Sequence, residues 1–235
     1  MSGADRIVVT DPSRTPIELV DQLNEFGVAT IHEAQSRSGY LGTQMQARQV
    51  GVRVAGTAVT ALCRPGDNLM IHAAVEQCQL GDLLVVTTSS PCSDGLFGEL
   101  LATSLASRGV RGVVLTTGVR DVAELNRMSF PVWSTAVSAQ GTVKASAGAV
   151  NVPVAIQGTI IEPGDVVVAD DDGVVVVPRR KARAVLNESR SRELREQESR
   201  AALAKGVLGL DLYNLRPLLS DLGVTYVPAG HSHVE

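Results

Sequence analysis

Residues 110–121 read VRGVVLTTGVRD, and the class of the fold follows from them. Val113, Val114 and Leu115 make a continuous apolar run, as expected of a strand buried on both faces, here predicted over 112–116. The run passes Gly118 and ends in Arg120-Asp121, so a cation and a carboxylate stand together at a strand end. Upstream, 83–88 (LLVVTT) reads as a fully apolar strand and 96–107 as a helix after the turn-rich SSPCSDG loop at 89–95. Downstream, 122–127 reads as a short helix. Strand, helix, strand in this order marks a parallel βαβ unit, so the chain is read as α/β. Ligands in such sheets bind outside the carboxyl ends of the strands, which makes the Arg120-Asp121 turn the first place to look for chemistry.

Around this centre, 16–26 reads as a helix with Ile17, Val20 and Leu23 at three-residue spacing and Gly27 ending it. A loosely held arm is expected before it, over residues 1–15. The stretch 50–63 reads as strand and 68–77 as helix. From Pro131 the chain turns to short Val-containing strands at 132–134, 152–157, 166–169 and 174–177, with a hairpin turn at 170–173 where Asp-Gly would supply positive φ. After Pro178 comes a charged helix to about Ala204, then Gly206 and a final segment ending near Gly223. There is no internal repeat or low-complexity linker. An α/β core over 1–178 with a helical C-terminal extension over 179–235, within a single structural domain, is the expected organisation.

Composition narrows the function classes. The 235 residues are 44% hydrophobic, enough to bury a full core. A net charge of -4 gives no general drive toward phosphate backbones, so no nucleic-acid partner is expected. No signal-type N-terminal stretch and no apolar run of bilayer length is present, so no membrane partner is expected and the chain is placed in the cytoplasm. Cys63, Cys78 and Cys92 lack CxxC spacing and are read as reduced thiols. The Walker and Rossmann glycine patterns are missing, which argues against a nucleotide cofactor.

Several side chains have both a chemical and a structural reading. The helix opening at Gly98-Glu99-Leu100-Leu101-Ala102 leaves free N–H groups that can hold a small carboxylate without a lysine. Leu100, Leu101 and Leu105 can equally be its buried face. Glu99 can be a solvated first-turn carboxylate complementing the dipole. Asp121-Val122-Ala123-Glu124 fits a capping box for the next helix. Arg120 can pair with a surface carboxylate. Glu33 sits in a HEAQ segment, and Glu196 lies in a charged helix close to Glu193 and Glu198. His32 and His72 stand among apolar neighbours and read as hydrogen-bonded packing residues. His231 and His233 lie in a polar tail, and Asp170, Asp171 and Asp172 read as turn residues without EF-hand spacing. Schiff-base chemistry needs a lysine in a desolvated pocket, whereas Lys144, Lys181 and Lys205 are the only lysines and none is so placed.

Taken together, the HEAQ segment, Asp67-Asn68-Leu69-Met70-Ile71-His72, the Gly98 helix opening, Arg120-Asp121, the Gly164-Asp165 and Asp171-Asp172-Gly173 turns, and Gly206-Val207-Leu208-Gly209-Leu210-Asp211-Leu212-Tyr213 resemble the class II pyruvate aldolases. Those enzymes cleave 4-hydroxy-4-methyl-2-oxoglutarate and 4-carboxy-4-hydroxy-2-oxoadipate, and the likeness runs from about Asp21 to Tyr226. The resemblance implies a layered ββα swivelling-type sandwich, a homotrimer or homohexamer, a 2-oxo acid substrate, and Mg²⁺ or Mn²⁺ held by Asp121. It also implies a pyruvyl carboxylate at the Gly98, Leu100 and Leu101 backbone and Arg120 beside the 2-oxo oxygen. Glu99 would hold a metal-linked water, with Glu33 and Glu196 reaching the site from an adjacent subunit. An oxaloacetate decarboxylase side activity and a place in aromatic-compound catabolism are implied as well. Up to about Pro178 the chain also resembles the regulators of ribonuclease E activity, non-catalytic binding proteins that lack the charged extension. A demethylmenaquinone methyltransferase reading lacks any glycine-rich loop for S-adenosylmethionine.

Overall fold

In the computed structural model, which describes residues 6–229, contacts divide the chain into one unit up to Ser189 and another from Arg190. This boundary falls eleven residues beyond the expected one at Pro178, inside the long helix. In the first unit, β3 (Val54–Cys63), β4 (Asp82–Thr88), β6 (Val113–Val119) and β7 (Val132–Val137) lie side by side and parallel. The crossovers are α3 (Leu69–Gln77), α4 (Glu99–Ala106) and α5 (Val122–Arg127). These helices cover one face of the sheet, where Ile71, Leu101, Leu105 and Leu125 meet Leu84, Val86, Val113 and Leu115. The strands are apolar on both faces, as parallel strands covered twice must be.

Their other face carries Leu83, Val85, Val114 and Trp133. It packs on β11 (Val166–Asp170), β12 (Gly173–Val177) and β9 (Val154–Ile156), with β10 (Thr159–Ile161) paired to β9. The alternation inside β11 and β12 sends Val167, Ala169, Val174 and Val176 inward. Val166, Val168, Val175 and Val177 face outward, where α1 (Ile17–Leu23), α2 (Val28–Ala34) and the first turns of α6 (Ala182–Ala204) cover them. The layered ββα expectation is met, and α1 and α2 add an outer helical layer. β3 belongs to both halves: Val54 to Thr57 pair antiparallel with β11, and Ala61 and Leu62 pair with β8 (Ala149–Val150).

Four local expectations change. Residues 6–15 are not loose: β1 (Ile7–Val8) adds to β8, and Arg14 forms an ion pair with the buried Asp82. The Leu96 helix start is replaced by a strand, β5 (Gly95–Phe97), and the helix begins at Glu99. The 170–173 hairpin centres on Asp171 and Asp172, with positive φ only at Gly173, where β12 begins. β2 (Gln46–Ala47), which the sequence reading did not anticipate, closes the far edge against β7. The second unit holds the rest of α6 with α7 (Gly209–Leu212) and α8 (Arg216–Asp221). No described helix is long and apolar enough to cross a membrane.

Candidate active site

Phe97 fixes the centre of the site from below. Its side chain is fully buried, a contribution of about 1.5–3 kcal/mol, while its carbonyl accepts the Arg120 N–H at 2.9 Å. β5 is thereby laid parallel to the last turn of β6, Gly95 beside Gly118 and Phe97 beside Val119. This short pairing brings the start of α4 and the end of β6 to one place. It also explains the missed strand: Leu96 and Phe97 have the apolarity of a helix face, but both are committed to the core below.

Asp121 has a left-handed backbone, φ 57° and ψ 37°, and no side-chain bond to the helix it precedes. Its Oδ2 instead accepts the N–H of Glu99 at 3.1 Å and lies 3.6 Å from Arg120 Nε. The capping-box reading is therefore corrected: Asp121 caps α4 rather than α5, and Glu124 pairs with Arg127. Once Asp121 has taken the first amide of α4, the Leu100 and Leu101 N–H groups find no acceptor among the described residues. Both point out of the positive end of the helix.

Leu101 and Leu105 are buried, but Leu100 is 77% exposed, so the proposed buried face of three leucines loses one member. Glu99 is half-buried and accepts a hydrogen bond from the Thr103 hydroxyl at 2.9 Å. Arg120 and Asp121 are both partly exposed, at 46% and 39% of their side chains. Arg120 runs between glycines. An added Cβ would stand 3.4 Å from its Cβ at Gly95, 3.0 Å from its Cγ at Gly98 and 3.9 Å from its Nη1 at Gly141. The sequence reading passed over Gly95, Gly118 and Gly141. Gly118 inside a strand pattern was the available signal, since such a glycine marks a close backbone approach, here to Ser93 O and Asp94 O.

Gly98, Glu99, Leu100, Leu101, Arg120 and Asp121 thus come together within one chain. Glu33 does not join them: it lies on α2, in the outer layer beyond β11 and β12, where it pairs with Arg37 at 3.0 Å. Glu196 belongs to the second unit, on α6, and pairs with Arg192 at 2.7 Å. His32 packs its ring against Tyr40 at 5.7 Å, as a packing residue would. His72, by contrast, is exposed on α3 and has no hydrogen-bond partner among the described residues; partial burial and then Lys144 lower its pKa. His231 and His233 lie outside the described residues. Cys63, Cys78 and Cys92 are free thiols.

Among the described residues no cluster of three metal-ligating side chains exists. The residues nevertheless suit a hard cation that keeps most of its waters, because Asp121 Oδ1 has no hydrogen-bond partner among the described residues and lies beside the half-buried Glu99.

Comparison with known proteins gives the family of the chain. The family model described as "RraA-like: Aldolase/RraA" matches residues 18–176. A protein of Halalkalibacterium halodurans named "Putative 4-hydroxy-4-methyl-2-oxoglutarate aldolase" is 24% identical over 201 residues, covering 86% of this chain and 96% of its own. A protein of the same name from Burkholderia multivorans is 38% identical over 124 residues, 53% of this chain and 75% of its own. The crystal structure of Streptomyces coelicolor RraAS2, described as an unusual member of the RNase ES inhibitor RraA protein family, superposes with a TM-score of 0.72. It is 32% identical, over 81% of this chain and 99% of that one.

Proposed function

Because the chain belongs to the RraA-like family, we propose that it is a divalent-metal-dependent aldolase that releases pyruvate from 4-hydroxy-2-oxo acids, 4-carboxy-4-hydroxy-2-oxoadipate and 4-hydroxy-4-methyl-2-oxoglutarate among them. The observation that carries this reading is the joining of a guanidinium, a carboxylate and two unpartnered helix amides at the carboxyl end of β6. Two amides at the positive end of α4 suit a substrate carboxylate. Arg120, which cannot deprotonate, suits the 2-oxo oxygen, where negative charge grows as the C3–C4 bond breaks.

In this mechanism the Leu100 and Leu101 amides hold the C1 carboxylate, and Asp121 would hold Mg²⁺ or Mn²⁺. The bound cation would supply Lewis-acid polarisation of the 2-oxo acid. Glu33, Glu99 or Glu196 would orient the group that removes the C4 hydroxyl proton. The C3–C4 electron pair then passes into the enolate of pyruvate, whose oxygen faces Arg120. The other product carries the C4 substituents: oxaloacetate from a carboxylated substrate, pyruvate from a methylated one. Loss of CO₂ from oxaloacetate gives the same enolate, so decarboxylation belongs to the same site. Glu33 and Glu196 would complete the site of a neighbouring subunit in a homotrimer or homohexamer.

The test is pyruvate release coupled to lactate dehydrogenase from both substrates and from oxaloacetate, with Mg²⁺ and with EDTA. Metal-dependent release is expected, and Arg120→Ala should lower kcat by roughly 10²-fold or more. Near-normal cleavage by folded Arg120→Ala and Asp121→Asn chains would sink the proposal. A second reading, a non-catalytic regulator that binds ribonuclease E, is favoured by one observation, the 32% identity to RraAS2 over nearly all of that chain. Capture of ribonuclease E by a chain that turns over none of the three acids would favour it.

A further inference from the structure

Asp67 is among the most heavily bonded carboxylates of the first unit, yet it has no role in the mechanism above. It sits just before α3 and is 2% exposed. Its Oδ1 accepts the Leu69 N–H at 2.8 Å, and its Oδ2 accepts the N–H groups of Ala145 at 2.8 Å and Ser146 at 2.6 Å. Burial works to raise its pKa, but these backbone bonds and one from the Ser146 hydroxyl outweigh burial and hold the carboxyl below its ordinary range. It is ionised at neutral pH and spends its charge on two consecutive amides of a distant segment.

That segment, residues 138–146, is the loop beside Arg120. At its near end Ser138 N–H donates to Val119 O and Gly95 N–H donates to Gln140 O, both at 2.9 Å. Gly141 then faces Arg120 Nη1. At its far end Val143 pairs with Gly66 and Asn68, in two backbone bonds of 2.9 and 3.0 Å, before Asp67 takes Ala145 and Ser146. Asn68 ties the same turn to β5 by donating its side-chain amide to Leu96 O at 3.0 Å. One hydrogen-bonded frame therefore runs from Asp67 through the loop to the backbone on either side of Arg120.

The geometry points to Asp67 as a positioning residue for Arg120, acting through residues 138–146. The inference rests on the aldolase reading, in which Arg120 acts on the reacting oxygen. Asn at position 67 has the same size but accepts through only one oxygen, and its amide group would face N–H donors. The loop would lose one anchor while the chemistry of Arg120 stayed intact.

The experiment is a double-mutant cycle on the full chain with Mg²⁺ and 4-hydroxy-4-methyl-2-oxoglutarate, comparing the unaltered chain, Asp67→Asn, Arg120→Ala and the double variant. Each is checked for folded fraction by near-UV circular dichroism. Asp67→Asn should lower kcat about 10- to 100-fold with KM changed by less than about threefold, because misplacement of a transition-state donor acts on the chemical step. In the Arg120→Ala background the same change should cost nothing further. Losses that multiply in the double variant, or an unchanged kcat in Asp67→Asn, would overturn the inference. If Asp67→Asn fails to fold, Ser146→Ala carries the same cycle: it removes the hydroxyl that bonds Asp67, so it should slow the unaltered chain and leave Arg120→Ala untouched. Multiplying losses there would equally overturn it. Silence of the unaltered chain would remove the aldolase reading and this inference with it, whereas turnover with multiplying losses removes the inference alone.

Discussion

Gly98 shows how a residue without a side chain can shape a site. Its φ of -162° and ψ of -168° are extended values open to any residue, so conformational freedom is not the reason for a glycine here. Space is the reason: a methyl group would collide with Asp121 Oδ2 and stand 3.2 Å from Arg120 Nε. Both are partly exposed and can swing aside, so Gly98→Ala should leave the unfolding free energy within about 1 kcal/mol of the unaltered chain. The displaced pair should cost about 10²-fold in kcat. Thermal unfolding and pyruvate release measured on one preparation test this, and an unaltered kcat would show that the close approach has no catalytic meaning. The thiols give a second test at this scale. Burial, assisted by Asp67 and Asp82 respectively, pushes Cys63 and Cys78 up to about 12, whereas Cys92 is only half-buried in the loop before β5. Iodoacetamide at neutral pH should therefore modify Cys92 and spare the other two until the chain unfolds, as peptide mapping would read out.

Between elements, the join of the N-terminal segment to β4 rests on a buried charge. Arg14 donates to both oxygens of Asp82 at 3.1 Å and to Gln77 O at 2.9 Å, and Asp82 is 1% exposed. Burial raises the Asp82 carboxyl above its ordinary value even with Arg14 in place. Arg14→Ala would leave that charge alone and should cost about 3–5 kcal/mol at neutral pH. The sign with pH follows from linkage. A carboxyl raised in the folded state holds its proton more tightly there, so its contribution to stability is fully present below the unfolded pKa of about 3.9 and is lost as pH rises through the folded one. Urea unfolding of Arg14→Ala should show a smaller loss near pH 4 than at pH 7; a loss independent of pH would mean that packing, not charge, joins the two elements. This ion pair was not legible in the sequence, since Arg14 and Asp82 are far apart in the chain and a polar arm gives no periodic signal. Legibility was high where one local pattern decides the outcome: α5 begins at Val122 and ends at Arg127 as read, and β4 differs by one residue. It failed where tertiary partners decide. Leu96 and Phe97 have helix-like apolarity but are pulled into β5 by pairing with β6, and Asp121 passes over its own helix to cap another. That Arg120-Asp121 and the opening of α4 end regular elements was legible, whereas the bonds of Asp67 to Ala145 and Ser146 were not, because no spacing rule joins those residues.

At the scale of the whole molecule, the residues that come together around Arg120 and Asp121 all lie in the first unit. Glu33 lies in the outer layer and pairs with Arg37, and Glu196 pairs with Arg192 in the second unit; the proposed function has both act from neighbouring copies of this chain. The second unit carries exposed apolar side chains that the predicted assembly would cover. Leu194, Leu208, Leu222 and Tyr226 are each more than half exposed, and no residue of α7 or α8 is buried. The first turns of α6 are anchored independently, because Ala182, Val185 and Leu186 lie in the core against β11 and β12. A chain ended after Ser189 should therefore keep the fold of the first unit and a cooperative thermal transition. By sedimentation velocity the full chain should run as a trimer or hexamer and the shortened one as a smaller species. Turnover should fall with the loss of Glu196 although Arg120, Asp121 and the α4 amides remain. If instead the full chain sediments as a monomer and is active, the neighbouring-subunit roles of Glu33 and Glu196 fall, and Glu99, whose N–H donates to Asp121, is the first-unit carboxylate left to orient the proton transfer.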